Sequence, residues 1–195
     1  MNARMFILSA LIAGSFALGT QVMAGNPGGE EIPQENAIEQ SDVQTPMTDQ
    51  SFVAHATYAS NAKIEASKLA LRISENQKLQ QFAELMIRDH QTANMELKQI
   101  AAKISIDAPA TIDTAHQAVL EQMQAMEGIE FDEAYVKMMQ QDHDATVELF
   151  EQAVADPELS NRLRIFATRT LPVLRLHQRH ALSLGTLEIS NALYF

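Results

Sequence analysis

The chain has 195 residues, 46% of them apolar, with little Gly or Pro and neither Trp nor Cys. That suffices for one cored domain of ordinary size, and the lack of Cys excludes a disulfide framework, a thiolate metal site and a lipidated N-terminal cysteine. A formal charge of −11 sets nucleic acid aside as a partner, because phosphate contacts need a basic surface.

Residues 1–24 read as a secretory signal peptide. Arg4 precedes an apolar run from Met5 to Leu18, and Val22 and Ala24 stand at the −3 and −1 cleavage positions. That run is too short to span a bilayer, and no later stretch approaches the ~20 consecutive apolar residues a spanning helix needs. The expected product is exported and has no membrane span. It would be periplasmic in a Gram-negative cell, or associated with the outer membrane, and one unit more negative once Arg4 leaves with the leader. Residues 25–47, rich in Gly, Pro, Glu and Gln and without apolar periodicity, read as a disordered linker.

The next segment, 48–185, reads as an all-α four-helix up-down bundle with a short extra crossover helix. A first helix is predicted to start near Thr48 and end near Ile73, along the ladder His55, Ala59, Ala62, Ala66, Leu69 and Ile73. Ser74-Glu75-Asn76-Gln77 fits a capping box for a second helix. That helix has the apolar line Leu79, Phe82, Met86, His90, Ala93, Leu97, Ile100 and Ile104. Pro109 ends the excursion after it. Asp113 can cap a shorter third helix carrying Val119, Leu120, Met123 and Met126, with Gly128 as its stop.

A fourth helix over about 131–155 shows two adjacent apolar lines, one through Tyr135, Met138, Asp142, Ala145 and Leu149, the other through Val136, Met139, His143, Val147, Phe150 and Val154. Asp156-Pro157 makes a cap and first-turn proline for a fifth, with the line Leu163, Phe166, Thr170, Leu174, His177, Ala181 and Leu184 ending before Gly185. Pro172 inside it removes one backbone bond and predicts a kink one turn before His177. Leu187, Ile189, Leu193 and Phe195 alternate like a strand. A lone strand builds no sheet, so 186–195 reads as a C-terminal tail over the bundle end.

The pentapeptide Met86-Ile87-Arg88-Asp89-His90 returns as Met139-Gln140-Gln141-Asp142-His143, which suggests two related hairpins, each directing an acid-imidazole pair inward. With His177 and with Glu65, which borders the Ala62-Ala66-Leu69 face, these histidines make a candidate metal site of Glu65, His90, His143 and His177 from facing helices. The expected cofactor is a first-row transition metal, since imidazole suits Zn, Cu, Fe or Ni. Depth opposes the set: counted from the hairpin turns, His90 and Glu65 differ by ~6 Å of helix rise and His143 and His177 by ~10 Å. Di-iron carboxylate chemistry is disfavoured, because the Glu-x-x-His pattern is absent: Ile87, Gln140 and Leu174 precede the histidines by three.

Asp89 and Asp142 lie about 100° around the helix from their histidines and are expected to orient ligands or form ion pairs instead of chelating. An inward Asp142 needs a cation, for which Arg72, Arg169 or Arg175 are the choices. That yields a purely structural alternative, a ladder of Asp, His and Arg fixing helix register. Met86 and Met139, one turn before His90 and His143, leave a thioether-imidazole copper(I) site open, although methionine is more often core filler. His55, His116 and His180 have no partners in the repeat and read as solvated or core-edge. No nucleophile motif or phosphate loop is present, and Glu96-Leu97-Lys98 reads as a solvated face.

The chain resembles the exported bacterial family known as domain of unknown function 4142, grouped with the ferritin-like superfamily. The resemblance covers about residues 49 to 184. It rests on Phe52 with Ala56, then Lys63-Ile64-Glu65-Ala66-Ser67-Lys68-Leu69-Ala70, on Phe82-Ala83 with Met86 and Asp89-His90, and on His116-Gln117. It continues through Phe131-Asp132, Tyr135, Met139, Asp142-His143, Leu149-Phe150, Asp156-Pro157-Glu158-Leu159, Phe166-Ala167, Thr170-Leu171-Pro172 and His177. It implies a ferritin-like bundle and shared Glu65, His90, His143 and His177, and it supplies no activity, substrate or metal. Gln77 stands where the family often has a proline opening the second helix.

The reading preferred at this level is a non-enzymatic envelope or stress-associated interaction protein with a His/Glu/Asp polar core, its partner an unknown envelope protein or small ligand. The competitor is a metal-binding protein or redox enzyme using the four candidate residues.

Overall fold

The computed structural model describes residues 47–192, and side chains through residue 185. The leader, nearly all of the linker and residues 193–195 lie outside the described residues. Helix α1 (Asp49–Ile73) opens on a reciprocal capping box: Ser51 N–H donates to Thr48 Oγ1 at 3.0 Å, and Thr48 N–H to Ser51 Oγ at 2.9 Å. Helix α2 (Gln77–Lys103) is capped by Asn76, whose side chain accepts Lys78 N–H at 3.0 Å. The predicted cap was Ser74. That residue instead closes α1, giving its N–H to the Ala70 carbonyl, and its hydroxyl braces the turn by accepting Asn76 N–H at 3.1 Å.

At the far end of α2, Ser105 takes a left-handed φ of 59°. The Ser105 and Ile106 N–H groups return to the Ala102 and Ala101 carbonyls, a Schellman closure with serine where glycine is usual. Helix α3 (Thr114–Gln124) starts on Asp113, as expected, with His116 N–H donated to Asp113 Oδ1 at 2.9 Å.

Helix α4 (Gly128–Ala155) begins three residues before the predicted start, because Gly128 does not stop α3; it turns the chain into α4 with φ +53°. Asp156 caps the end of α4, and its carboxylate accepts Glu158 N–H at 2.8 Å in a local turn. The predicted first turn at Asp156-Pro157 is thereby displaced to Asn161. Helix α5 (Asn161–Ala192) runs through both Pro172 and Gly185, so the strand-like alternation after 186 is overridden by helix. Pro172 and Thr168 are exposed, which leaves the carbonyl freed by the proline open to water.

The helices form two antiparallel hairpins, α1 with α2 and α4 with α5, and the crossover through α3 sets α2 and α4 in the same direction. Ser160 N–H donates to Asp49 Oδ1 at 2.8 Å, tying the starts of α1 and α5 together. Two apolar clusters fill the bundle. One gathers Phe52, Leu97, Phe150, Leu163 and Phe166 at that end, with Met47 packed against it. The other gathers Leu69, Phe82, Met123, Phe131, Tyr135 and Leu184 at the opposite end. Between them the buried side chains are polar: Thr57, Ser60, Lys63, His90, His143, Thr146 and His177. Among the described residues no helix is long and apolar enough to cross a membrane.

A second buried polar pair, Ser67 Oγ and Tyr135 Oη at 3.0 Å, stands apart from that layer. Ser67→Ala should cost about 1–3 kcal/mol by leaving a buried phenol unbonded, and adding Tyr135→Phe should restore most of it. Urea unfolding of both singles and the double variant measures this. Simple additivity of the two losses would show the hydrogen bond carries no weight.

Candidate metal centre

Each of the three central histidines reaches the middle of the bundle because it occupies a core position on its helix. His90 comes from α2, His143 from α4 and His177 from α5, with exposures of 4%, 0% and 1%. Their ring centroids are 5.6 to 5.7 Å apart in all three pairings. A ligand-capable nitrogen from each lies within 4.8 Å of the other two. The depth mismatch expected between His143 and His177 is therefore absent: the turns at 74–76 and 156–160 place the hairpins so that the three rings share one level.

The outer nitrogen of each ring is held. His143 Nδ1 meets the Met139 carbonyl at 2.7 Å and must donate to it. His177 Nε2 meets Asp89 Oδ2 at 3.0 Å and donates to that carboxylate. His90 Nδ1 lies 3.1 Å from Ser60 Oγ, which also reaches the His90 carbonyl at 3.4 Å. With the single hydroxyl proton directed at the carbonyl, Ser60 accepts Nδ1–H. The remaining nitrogens, His90 Nε2, His143 Nε2 and His177 Nδ1, are buried and have no hydrogen-bond partner. Three unpartnered, buried nitrogens thus come together at one level, an arrangement that suits a cation.

Protonation does not supply that cation. Burial above all, then the neighbouring Lys63 ammonium, pushes His143 down to about 3 and His90 well below the usual imidazole range. Burial also lowers His177, against the opposing pull of Asp89. The rings are neutral at physiological pH, the form that binds metals.

Glu65 does not join them. Its carboxylate is half exposed and paired with Lys68 at 2.7 Å. At ~100° per residue it lies about 160° around α1 from Lys63, which occupies the centre of the buried face; the alanine ladder marks one edge of that face, not its middle. Asp89 bonds His177 on the other hairpin and not its neighbour His90.

Asp142 is not paired with an arginine. Arg169 bonds Glu96 and Arg175 bonds Glu151 on the surface, and Arg72 is exposed. Its partners are Lys63 at 3.8 Å and His116 Nε2 at 3.4 Å. Burial works against the Asp142 carboxylate, but His116 and Lys63 outweigh it and hold it below its ordinary range. His116, expected to be solvated or at the core edge, is half-buried. Contact with Asp142, together with Asp113 at 2.6 Å from Nδ1, raises its affinity for a proton. His55 and His180 are exposed, as expected, the latter edge-on to Phe82 at 5.2 Å.

Lys63 is the buried charge beside this centre that the sequence pattern did not single out. It is fully buried, with its ammonium donating to Thr146 Oγ1 at 3.0 Å and the Ala59 carbonyl at 3.3 Å. A lysine four residues after Ala59 and three before Ala66, inside a small-residue line, is the signal that could have found it.

The chain matches the family described as "Domain of unknown function (DUF4142)" over residues 34–184, and it belongs to that family. No curated protein sequence matches it. Among solved structures, "CopM in the Cu(II)-bound form" is similar at a TM-score of 0.59 and 19% identity, covering 70% of this chain and 95% of that one. "CopM in the Ag-bound form (by co-crystallization)" is similar at 0.57 and 18%, covering 71% and 95%. At these identities the likeness is one of fold.

A histidine neutral in the fold but protonated when unfolded makes stability fall as pH drops below 6.5. For His143 the loss runs down to about pH 3, at up to ~1.4 kcal/mol per pH unit. Urea unfolding of metal-free protein between pH 7 and pH 4 should show this decline, and His143→Gln should flatten it. Equal slopes for the two proteins would show that His143 is protonated in the fold.

Proposed function

We propose that this DUF4142 chain is an exported helical-bundle protein that holds one transition-metal ion between His90, His143 and His177. The observation that carries the reading is the set of three buried imidazole nitrogens left without partners at one level of the bundle, while the other nitrogen of every ring is fixed by Met139, Asp89 or Ser60. That is the pattern of a metal-ligating histidine, whose second nitrogen is anchored to set tautomer and direction.

Three neutral imidazoles, with no carboxylate among them, suit copper, zinc or nickel better than a hard oxygen-seeking ion. The copper- and silver-bound forms of CopM, a protein of the same fold, put copper and silver first among the ions to try. When bound, such an ion supplies a fixed positive charge and a Lewis acid. The protein's own contribution is to exclude water and hold three lone pairs in place.

The cavity against His90, bounded by Ala56, Ser60, Leu97, Phe150 and Phe166, measures about 20 Å³, room for about one water. An organic substrate or an apolar ligand does not fit there. Export rests on the leader at 1–24, with the interaction-protein reading as the alternative that has no observation at this centre behind it.

Metal analysis of protein isolated from its native compartment, with titration of the metal-free form, tests the proposal. One equivalent of a first-row ion should bind, and His90→Ala, His143→Ala and His177→Ala should each abolish tight binding. Asp89→Asn, at the carboxylate that accepts from the outer nitrogen of His177 and also pairs with Arg88 on the surface, should weaken binding by about 10- to 100-fold. Stoichiometric binding that survives all three alanine substitutions would place the ion elsewhere.

A further inference from the structure

Lys63 is a buried cation that the three-histidine site does not use as a ligand. Its side chain folds back one turn along α1, so the ammonium bonds the Ala59 carbonyl and Thr146 Oγ1. That is the level at which Ser60 holds His90, and Thr146 lies one turn from His143 on α4. Asp142, its counter-ion, stands on the outward side, 17% exposed at the side chain and shared with His116. The pair is therefore a dipole with its positive end toward the imidazoles.

We propose that Lys63 sets the charge preference of the centre, opposing a divalent ion about twice as strongly as a monovalent one and so tuning the site toward a monovalent, imidazole-binding ion of the Cu(I) or Ag(I) kind. This rests on the metal reading above. The physical reason is Coulomb's law: repulsion from a fixed charge scales with the charge of the ion brought beside it. The Lys63 ammonium is fully buried, and its two hydrogen-bond partners, the Ala59 carbonyl and Thr146, stand beside Ser60 and one turn from His143, whereas the Asp142 carboxylate is partly exposed and divided between Lys63 and His116. Among the described residues no carboxylate joins the three imidazoles: Glu65 is paired with Lys68 at the surface, and Asp89 reaches only the outer nitrogen of His177.

The test compares Ag(I) and Zn(II) affinities, by competition with chelators of known strength, for the full mature chain and for Lys63→Met. At pH 6.5 the ammonium, lowered by burial to about 8, keeps its proton. Both ions should bind more tightly to the variant, by an order of tenfold for Ag(I) and an order of a hundredfold for Zn(II), so the logarithmic gain for zinc is about twice that for silver.

Should Lys63→Met leave Asp142 too exposed to fold, Lys63→Met/Asp142→Asn carries the same comparison with both charges removed, and zinc should again gain more than silver. Equal gains for the two ions, no gain, or weaker binding overturns the role assigned to Lys63 while the metal site stands. Absence of binding in the wild-type chain, or binding untouched by His143→Ala, removes the metal reading and this inference with it.

Discussion

A hydrogen bond to the outer nitrogen of each central histidine is the constraint on which the rest of this structure depends. An imidazole has two nitrogens and, when neutral, one proton. Once Met139, Asp89 and Ser60 have engaged one nitrogen of each ring, the other is committed inward as a lone pair. The helices could not place three such acceptors together without the two apolar clusters above and below, which hold the hairpins in register and keep water out. Packing and polarity thus act in sequence: the clusters set the level, the anchors set the ring faces, and the ring faces bring three unpartnered nitrogens together.

The same layer contains its own opposing charge. Lys63, Asp142, His116 and Asp113 form a chain of alternating basic and acidic groups from the buried centre toward the half-buried edge of α3. Burial loosens the proton on Lys63, and the carboxylates tighten the one on His116. A buried ammonium is expensive by itself, and its two hydrogen bonds and nearby carboxylate offset that cost. The centre therefore has an electrostatic character distinct from a bare three-histidine set.

Much of this was visible in the residues. The repeated Asp-His pair identified two hairpins, and apolar lines at helical spacing placed His90, His143 and His177 on inward faces. Thr48, Asp113 and the break after Ile73 were legible because capping chemistry is local. The errors have local causes too. Asp156-Pro157 looks like a helix start but closes the preceding helix, Gly128 looks like a stop but opens the next, and the alternation after 186 is a short pattern that a continuing helix absorbs.

What the amino-acid sequence alone determined is the all-α character, the pairing of hairpins and the three inward histidines, because periodicity and capping depend on neighbours a few residues apart. Only the tertiary structure decided that Glu65 faces water, that Asp89 serves a histidine on the other hairpin, and that Asp142 meets Lys63 and His116 in place of an arginine. Those choices depend on the rotation and depth of one helix against another, which follow from how the two apolar clusters pack and are written in no single stretch of chain.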